Sequence, residues 1–138
     1  MNILAQNKEH LKELVEQQIN KHGKECDLNY IDVSKIKDMS QLFYRSDFNG
    51  DISEWVVPNV TDMSYMFNSS QFNQDISRWG ISNVVDMRFM FYGSQFNQDL
   101  SDWKPLSLLE KIISYLIGQI LRLSSCHQLS IVMNYRKS

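Results

Sequence analysis

The sequence predicts an α/β repeat solenoid: a stack of about three 24-residue turns, each a short strand plus a short helix, between an N-terminal cap helix and a C-terminal helix. Two observations carry this expectation. First, the stretch NVTDMSYMFNSSQFNQDISRW, Asn59 to Trp79, returns 24 residues later as NVVDMRFMFYGSQFNQDLSDW, Asn83 to Trp103, and stands 24 residues earlier in a looser version, KIKDMSQLFYRSDFNGDISEW, Lys35 to Trp55. Copies at one fixed spacing mark units that cannot bury their apolar face alone and must pack on their neighbours. Second, the copies end abruptly on both sides, which divides the chain into an N-terminal helix over 1–26, the repeats over 27–103 and a C-terminal cap and tail over 104–138.

Asn7 to His22 reads as a helix. Leu11, Leu14, Val15 and Ile19 recur at three- and four-residue steps, with Glu9, Lys12, Glu13, Glu16 and Gln17 on the other side. Asn7 suits the N-cap and Gly23 the stop. One apolar stripe needs one surface to lie on. The open first turn of the repeats is that surface, and docking on a partner is the competing role.

Aligned position by position, the copies give apolar columns. Leu28, Ile52, Ile76 and Leu100 correspond, as do Ile31, Trp55, Trp79 and Trp103. The columns headed by Val33, Ile36, Met39, Leu42, Phe43 and Phe48 follow in the same register. Trp79 and Ile81 alternate about Gly80, which predicts a short strand. Val84, Met87, Met90 and Phe91 sit at helical steps, which predicts a short helix capped by Asn83, and by Asn59 one copy earlier. Strand, loop, helix, loop is the leucine-rich-repeat type of turn.

Two polar columns run alongside: Asn49, Asn73 and Asn97, and Asp51, Asp75 and Asp99. They either satisfy loop N–H groups, as Asn and Asp commonly do, or form a ladder of oxygen ligands for calcium. The glycine-rich loops of calcium-binding rolls are absent, so no metal ligand is assigned and no cofactor is expected.

The motif D-M-S-x-M-F followed by F-N-Q-D-I-S-x-W resembles the BspA-like leucine-rich-repeat surface proteins, and CDLNYIDVSKIKDMSQLF resembles that family's first turn. The resemblance covers about Cys26 to Trp103. It implies a non-enzymatic surface or secreted binding protein, in some members an adhesin for host matrix proteins, and it supplies no catalytic residues. The N-terminus has no basic region or apolar run of signal-peptide length, which leaves a cytoplasmic location open.

After Trp103 the pattern stops. KPLSLLEKIISYLIGQILRL carries a capping box, Ser107 with Glu110, and a wide apolar arc from Leu108 to Ile120. It reads as a C-terminal cap helix, as the residue of a truncated or frame-shifted array, or as a segment that binds a membrane surface or a partner. It is too short and too charged for a membrane span.

A net charge of −2 with scattered Lys and Arg excludes a nucleic-acid footprint. Cys26 and Cys126 lie at opposite ends of the repeats and read as free thiols rather than a bridge. No glycine-rich phosphate loop, metal-spaced Cys/His cluster or nucleophile–base set is present, so an enzyme is not expected. Helical geometry turns Lys37, Ser40, Gln41 and Tyr44 outward in the first copy, Thr61, Ser64, Tyr65 and Asn68 in the second, and Val85, Arg88, Phe89 and Tyr92 in the third. Outward aromatics favour contact sites, and the candidate binding residues are Gln41, Tyr44, Tyr65, Phe89 and Tyr92. The alternative is that the C-terminal helix covers Phe89 and Tyr92; Glu54 and Arg78 mark a second candidate face. The expectation is a monomer with a protein ligand, a host matrix protein under the resemblance. A degenerate family member without activity and an intracellular scaffold are the alternatives.

Overall fold

A computed structural model describes residues 2–103. The chain opens with strand β1, Ile3–Leu4, followed by helix α1, Lys8–His22. The Asn7 side chain accepts from the His10 N–H at 2.8 Å and so caps the helix. Gly23, at φ 90°, ends it, and its N–H returns to the Ile19 carbonyl at 2.8 Å. Leu11, Leu14 and Val15 are buried, so the predicted stripe is the docked face. Strand β2, Ile31–Asp32, pairs in parallel with β1, Ile3 opposite Ile31 and Leu4 opposite Asp32. Helix α1 is thus the crossover between two parallel strands, a pairing that needs such a connection.

The predicted solenoid of strand-plus-helix turns does not form. Among the described residues α1 is the single helix, and β1 and β2 are the only strands. No copy of the 24-residue motif holds a helix, so the leucine-rich-repeat-like assignment falls with it. The reason lies in where the backbone N–H groups go. Leu42, Tyr44 and Ser46 donate three residues back, to Met39, Gln41 and Phe43, at 3.1–3.3 Å. Met39, Gln41, Phe43 and Arg45 instead donate out of the copy, to the carbonyls of Asp62, Ser64, Met66 and Asn68, at 2.8–3.0 Å. The second copy does the same: Met63, Tyr65, Phe67 and Ser69 donate to Asp86, Arg88, Met90 and Tyr92 at 2.8–2.9 Å. An α-helix sends each N–H four residues back along its own chain. Here every second N–H is used on the neighbouring copy, so the segments become chains of overlapping turns. Gln41, Arg45, Tyr65, Ser69 and Phe89 adopt φ of 54–59°, and Gly93 of 64°, which no helix interior contains.

The predicted strand about Gly80 fails for a related reason. Trp79 and Ile81 are buried and Gly80 is exposed, as alternation requires, but the Trp55, Trp79 and Trp103 N–H groups turn back to Ile52, Ile76 and Leu100 at 3.0–3.2 Å. Their indole Nε1 groups cross to the preceding copy, donating to Leu28, Ile52 and Ile76 at 3.0–3.1 Å. Side chain replaces ladder. Asn59 and Asn83 cap nothing; their Nδ2 groups donate to the Ser34 and Pro58 carbonyls at 2.7 Å.

The apolar columns are all buried. Because neighbouring copies present the same side chain at the same place, like packs on like. Phe43, Phe67 and Phe91 lie 5.5 and 5.7 Å apart with planes within 3°. Phe48, Phe72 and Phe96 are spaced at 6.2 Å, and each Phe of one column meets its partner in the other at 4.2–4.7 Å. Such ring pairs add about 0.5–1.5 kcal/mol each beyond area burial. The predicted C-terminal helix and tail over 104–138, with Cys126, lie outside the described residues. Cys26 is a half-buried free thiol, and burial pushes its pKa up.

One position breaks the periodicity for steric reasons. Gly50 occurs where the later copies have Gln74 and Gln98, and a Cβ there would collide with the Cys26 carbonyl oxygen and meet its carbon at 2.9 Å. Gly80, by contrast, has nothing within 4 Å of a Cβ position. Gly50→Ala should therefore lower stability by about 1–3 kcal/mol, the range for forced overpacking. Gly80→Ala should stay within about 0.5 kcal/mol. Urea midpoints measure both, and an unshifted midpoint for Gly50→Ala would mean that the Cys26 segment yields without cost.

Candidate binding surface

Gln41, Tyr65 and Phe89 hold the same position in successive copies, and all three are left-handed, at φ 59°, 57° and 56°. Each costs about 1–2 kcal/mol of intrinsic strain for an L-residue. The Gln41 and Tyr65 N–H groups bond to Ser64 and Arg88 of the next copy. The conformation thus belongs to the turn chain itself, and the side chains are what vary.

Tyr65 is 36% exposed and its ring lies 5.0 Å from that of half-buried Phe89. Tyr92, 41% exposed, meets Phe89 edge-on at 5.8 Å and 81°. These three form one contiguous aromatic cluster. Tyr44, 39% exposed, belongs to the Tyr92 column but lies on the first copy, with the Arg45 guanidinium 5.1 Å above its ring. Asn68 separates the two tyrosines. It was expected outside, yet it is buried, at 6%, and donates to the Phe89 carbonyl at 3.2 Å. Ser64, likewise expected outside, is 8% exposed. Both sit in the middle copy, which has a neighbour on either side. Glu54 and Arg78 are exposed.

Gln41 and Tyr44 face elsewhere. They line one wall of a groove of about 460 Å³ whose other wall is α1, through Lys12, Val15 and Ile19. The sequence placed the apolar stripe of α1 on the first copy, and the structure puts it there; the groove left along that contact had no sequence signal of its own. Lys8 anchors the helix there: its Nζ lies 3.0 and 3.1 Å from the Asp38 carboxylate and also donates to Ser40 Oγ.

The acidic and asparagine columns are turn-closing groups. Asp51, Asp75 and Asp99 each accept from the N–H two residues on, in Ser53, Ser77 and Ser101, at 2.8 Å. Asn49 and Asn73 pass a bond along the column, each Oδ1 accepting the N–H of the next Asn at 2.8 Å. Among the described residues no group of three or more His, Cys, Asp or Glu could hold a metal ion. No described helix is long and apolar enough to cross a membrane.

Residues 9–116 match the model of a family described as Mycoplasma protein of unknown function, DUF285. No curated protein and no solved structure matches the chain.

The aspartates also set an acid limit. Ser77 hydrogen bonds to Asp75, first through its backbone, hold that carboxyl below its ordinary pKa, Ser53 does the same for Asp51, and the Ser34 side chain, then its backbone, lowers Asp32. At Asp38 and Asp86 burial pushes the pKa up, but bonds from Ser40 and Lys8, and from Arg88, together outweigh it. A carboxyl depressed in the folded state contributes stability that is complete above the unfolded value of about 3.9 and is lost as pH falls through the folded value. The urea midpoint should therefore hold steady above about pH 5 and decline below about pH 4. Asp75→Asn, which keeps an oxygen acceptor for Ser77, should flatten that decline; a midpoint independent of acid would contradict the assignment.

Proposed function

The chain belongs to the family described as Mycoplasma protein of unknown function, and since no activity comes with that membership we propose, from its own surface, that it is a non-enzymatic protein-recognition module. The contiguous cluster of Tyr65, Phe89 and Tyr92 carries this reading. Large, rigid aromatic side chains presented on a packed body are the residue types that dominate protein interfaces. Tyr65 and Tyr92 also keep a hydroxyl for the wet rim of such a contact. The motif resemblance to BspA-like surface proteins supports a protein ligand met at the cell surface or after secretion, with host matrix proteins as the first class. The module acts as a monomer in this reading and needs no cofactor.

The test is binding of the full chain to immobilised extracellular-matrix proteins, with Tyr65→Ala and Tyr92→Ala alongside. Truncating an interface anchor costs about 2 kcal/mol or more, so each variant should bind about 30-fold more weakly while thermal unfolding stays put. Full binding by both variants would remove the cluster from the interface. Loss of folding would make these side chains core, and silence of the wild-type chain on every matrix protein would reject that ligand class.

A further inference from the structure

The second and third copies receive backbone bonds through a row of alternate carbonyls, Asp62 to Asn68 and Asp86 to Tyr92. The first copy owns the same row, in Asp38, Ser40, Leu42 and Tyr44. Among the described residues no donor bonds to any of these four carbonyls. The place of a donating copy is taken by α1, whose residues 15–21 stand 24 positions before 39–45. A helix uses its N–H groups on its own carbonyls, so α1 flanks the row without satisfying it. Between them runs the groove of about 460 Å³, lined by Ser40, Leu42 and Tyr44 on one side and Lys12, Val15 and Ile19 on the other. Backbone acceptors at a surface pair with water or with a ligand's donors.

We propose that this groove is a peptide-binding site: it takes a short segment of a partner protein whose N–H groups, at every second residue, donate to the carbonyls of Ser40, Leu42 and Tyr44. The ligand class follows from the chemistry of the walls. A phosphodiester backbone and an acyl chain both offer the carbonyl row no donor. A polypeptide supplies N–H groups at a two-residue interval, as in strand addition to an exposed edge. The groove's size lies in the ordinary range for ligand sites, about 300–1,000 Å³. Half-buried Ile19 asks for an apolar side chain on the segment's helix-facing side. Lys12 and Glu16, a loose exposed pair 3.9 Å apart on the helix wall, let an acidic residue of the segment compete for the Lys12 ammonium. This site is separate from the Tyr65–Phe89–Tyr92 cluster and stands or falls without it.

A random peptide library displayed on phage, selected on the full chain, supplies the probe; the enriched peptide is then synthesised and titrated. Methylating its amide nitrogens one at a time should weaken binding about tenfold at alternate positions, where a donor is lost, and little at those between. Lys12→Glu should weaken it about fivefold at low salt, and Tyr65→Ala and Tyr92→Ala should leave it unchanged. Enrichment of no peptide, equal losses at every methylated amide, or sensitivity to Tyr92→Ala in place of Lys12→Glu would each overturn the proposal. Concentration-dependent self-association that the peptide competes away would give the row to a second copy of the chain, and would overturn it as well.

Discussion

The rest of the structure depends on a division of labour among backbone N–H groups. In each copy from Met39, Met63 and Met87 onward, alternate groups close a turn within the copy. The groups between them cross to the next copy in the first two cases. Left-handed residues make the alternation possible by reversing the chain after each short turn. Everything else is a consequence. The phenylalanine columns meet face to face because the backbone bonds fix the register between copies. The tryptophan indoles reach the preceding copy because the bonds that would have formed a strand ladder are already used in turns. No single contact is strong; a typical bond of this kind is worth about 0.5–1.5 kcal/mol net, and cooperation along the row supplies the order.

The sequence made the core and α1 legible and the backbone of the repeats illegible, for different physical reasons. Burial depends on which positions recur, and a 24-residue period reports that directly, so Met39, Met63, Met87 and the other columns were identifiable as interior. Secondary structure depends on where N–H groups go. A run of overlapping turns brings Val84, Met87, Met90 and Phe91 to one side at the same three- and four-residue steps as a helix. The spacing cannot separate the two. Gly93 was the one compositional sign of a left-handed position; Gln41, Arg45, Tyr65, Ser69 and Phe89 adopt it without advertising it. Strand β1 was missed because two residues carry no periodicity.

The candidate surface divides along the same line. The helical wheel turned Tyr65, Phe89 and Tyr92 outward; Tyr65 and Tyr92 are exposed, Phe89 is half-buried between them, and the three converge. Ser64 and Asn68 were misplaced because a helical wheel assigns faces that a turn chain does not have. The docking of α1 on the first copy was legible from its apolar stripe, whereas the groove left beside Gln41 and Tyr44 depends on the exact seating of the helix, which no local pattern encodes. Lys8 and Asp38, thirty residues apart, add an ion pair at that contact between residue types too common to have stood out.

Gly50 gives the three copies an order they would otherwise lack. A recombination event exchanging the second and third copies would bring Gln for Gln at 74 and 98 and create no clash at that position. The same exchange involving the first copy would drive a glutamine side chain into the Cys26 carbonyl. The chain therefore carries an address at its beginning.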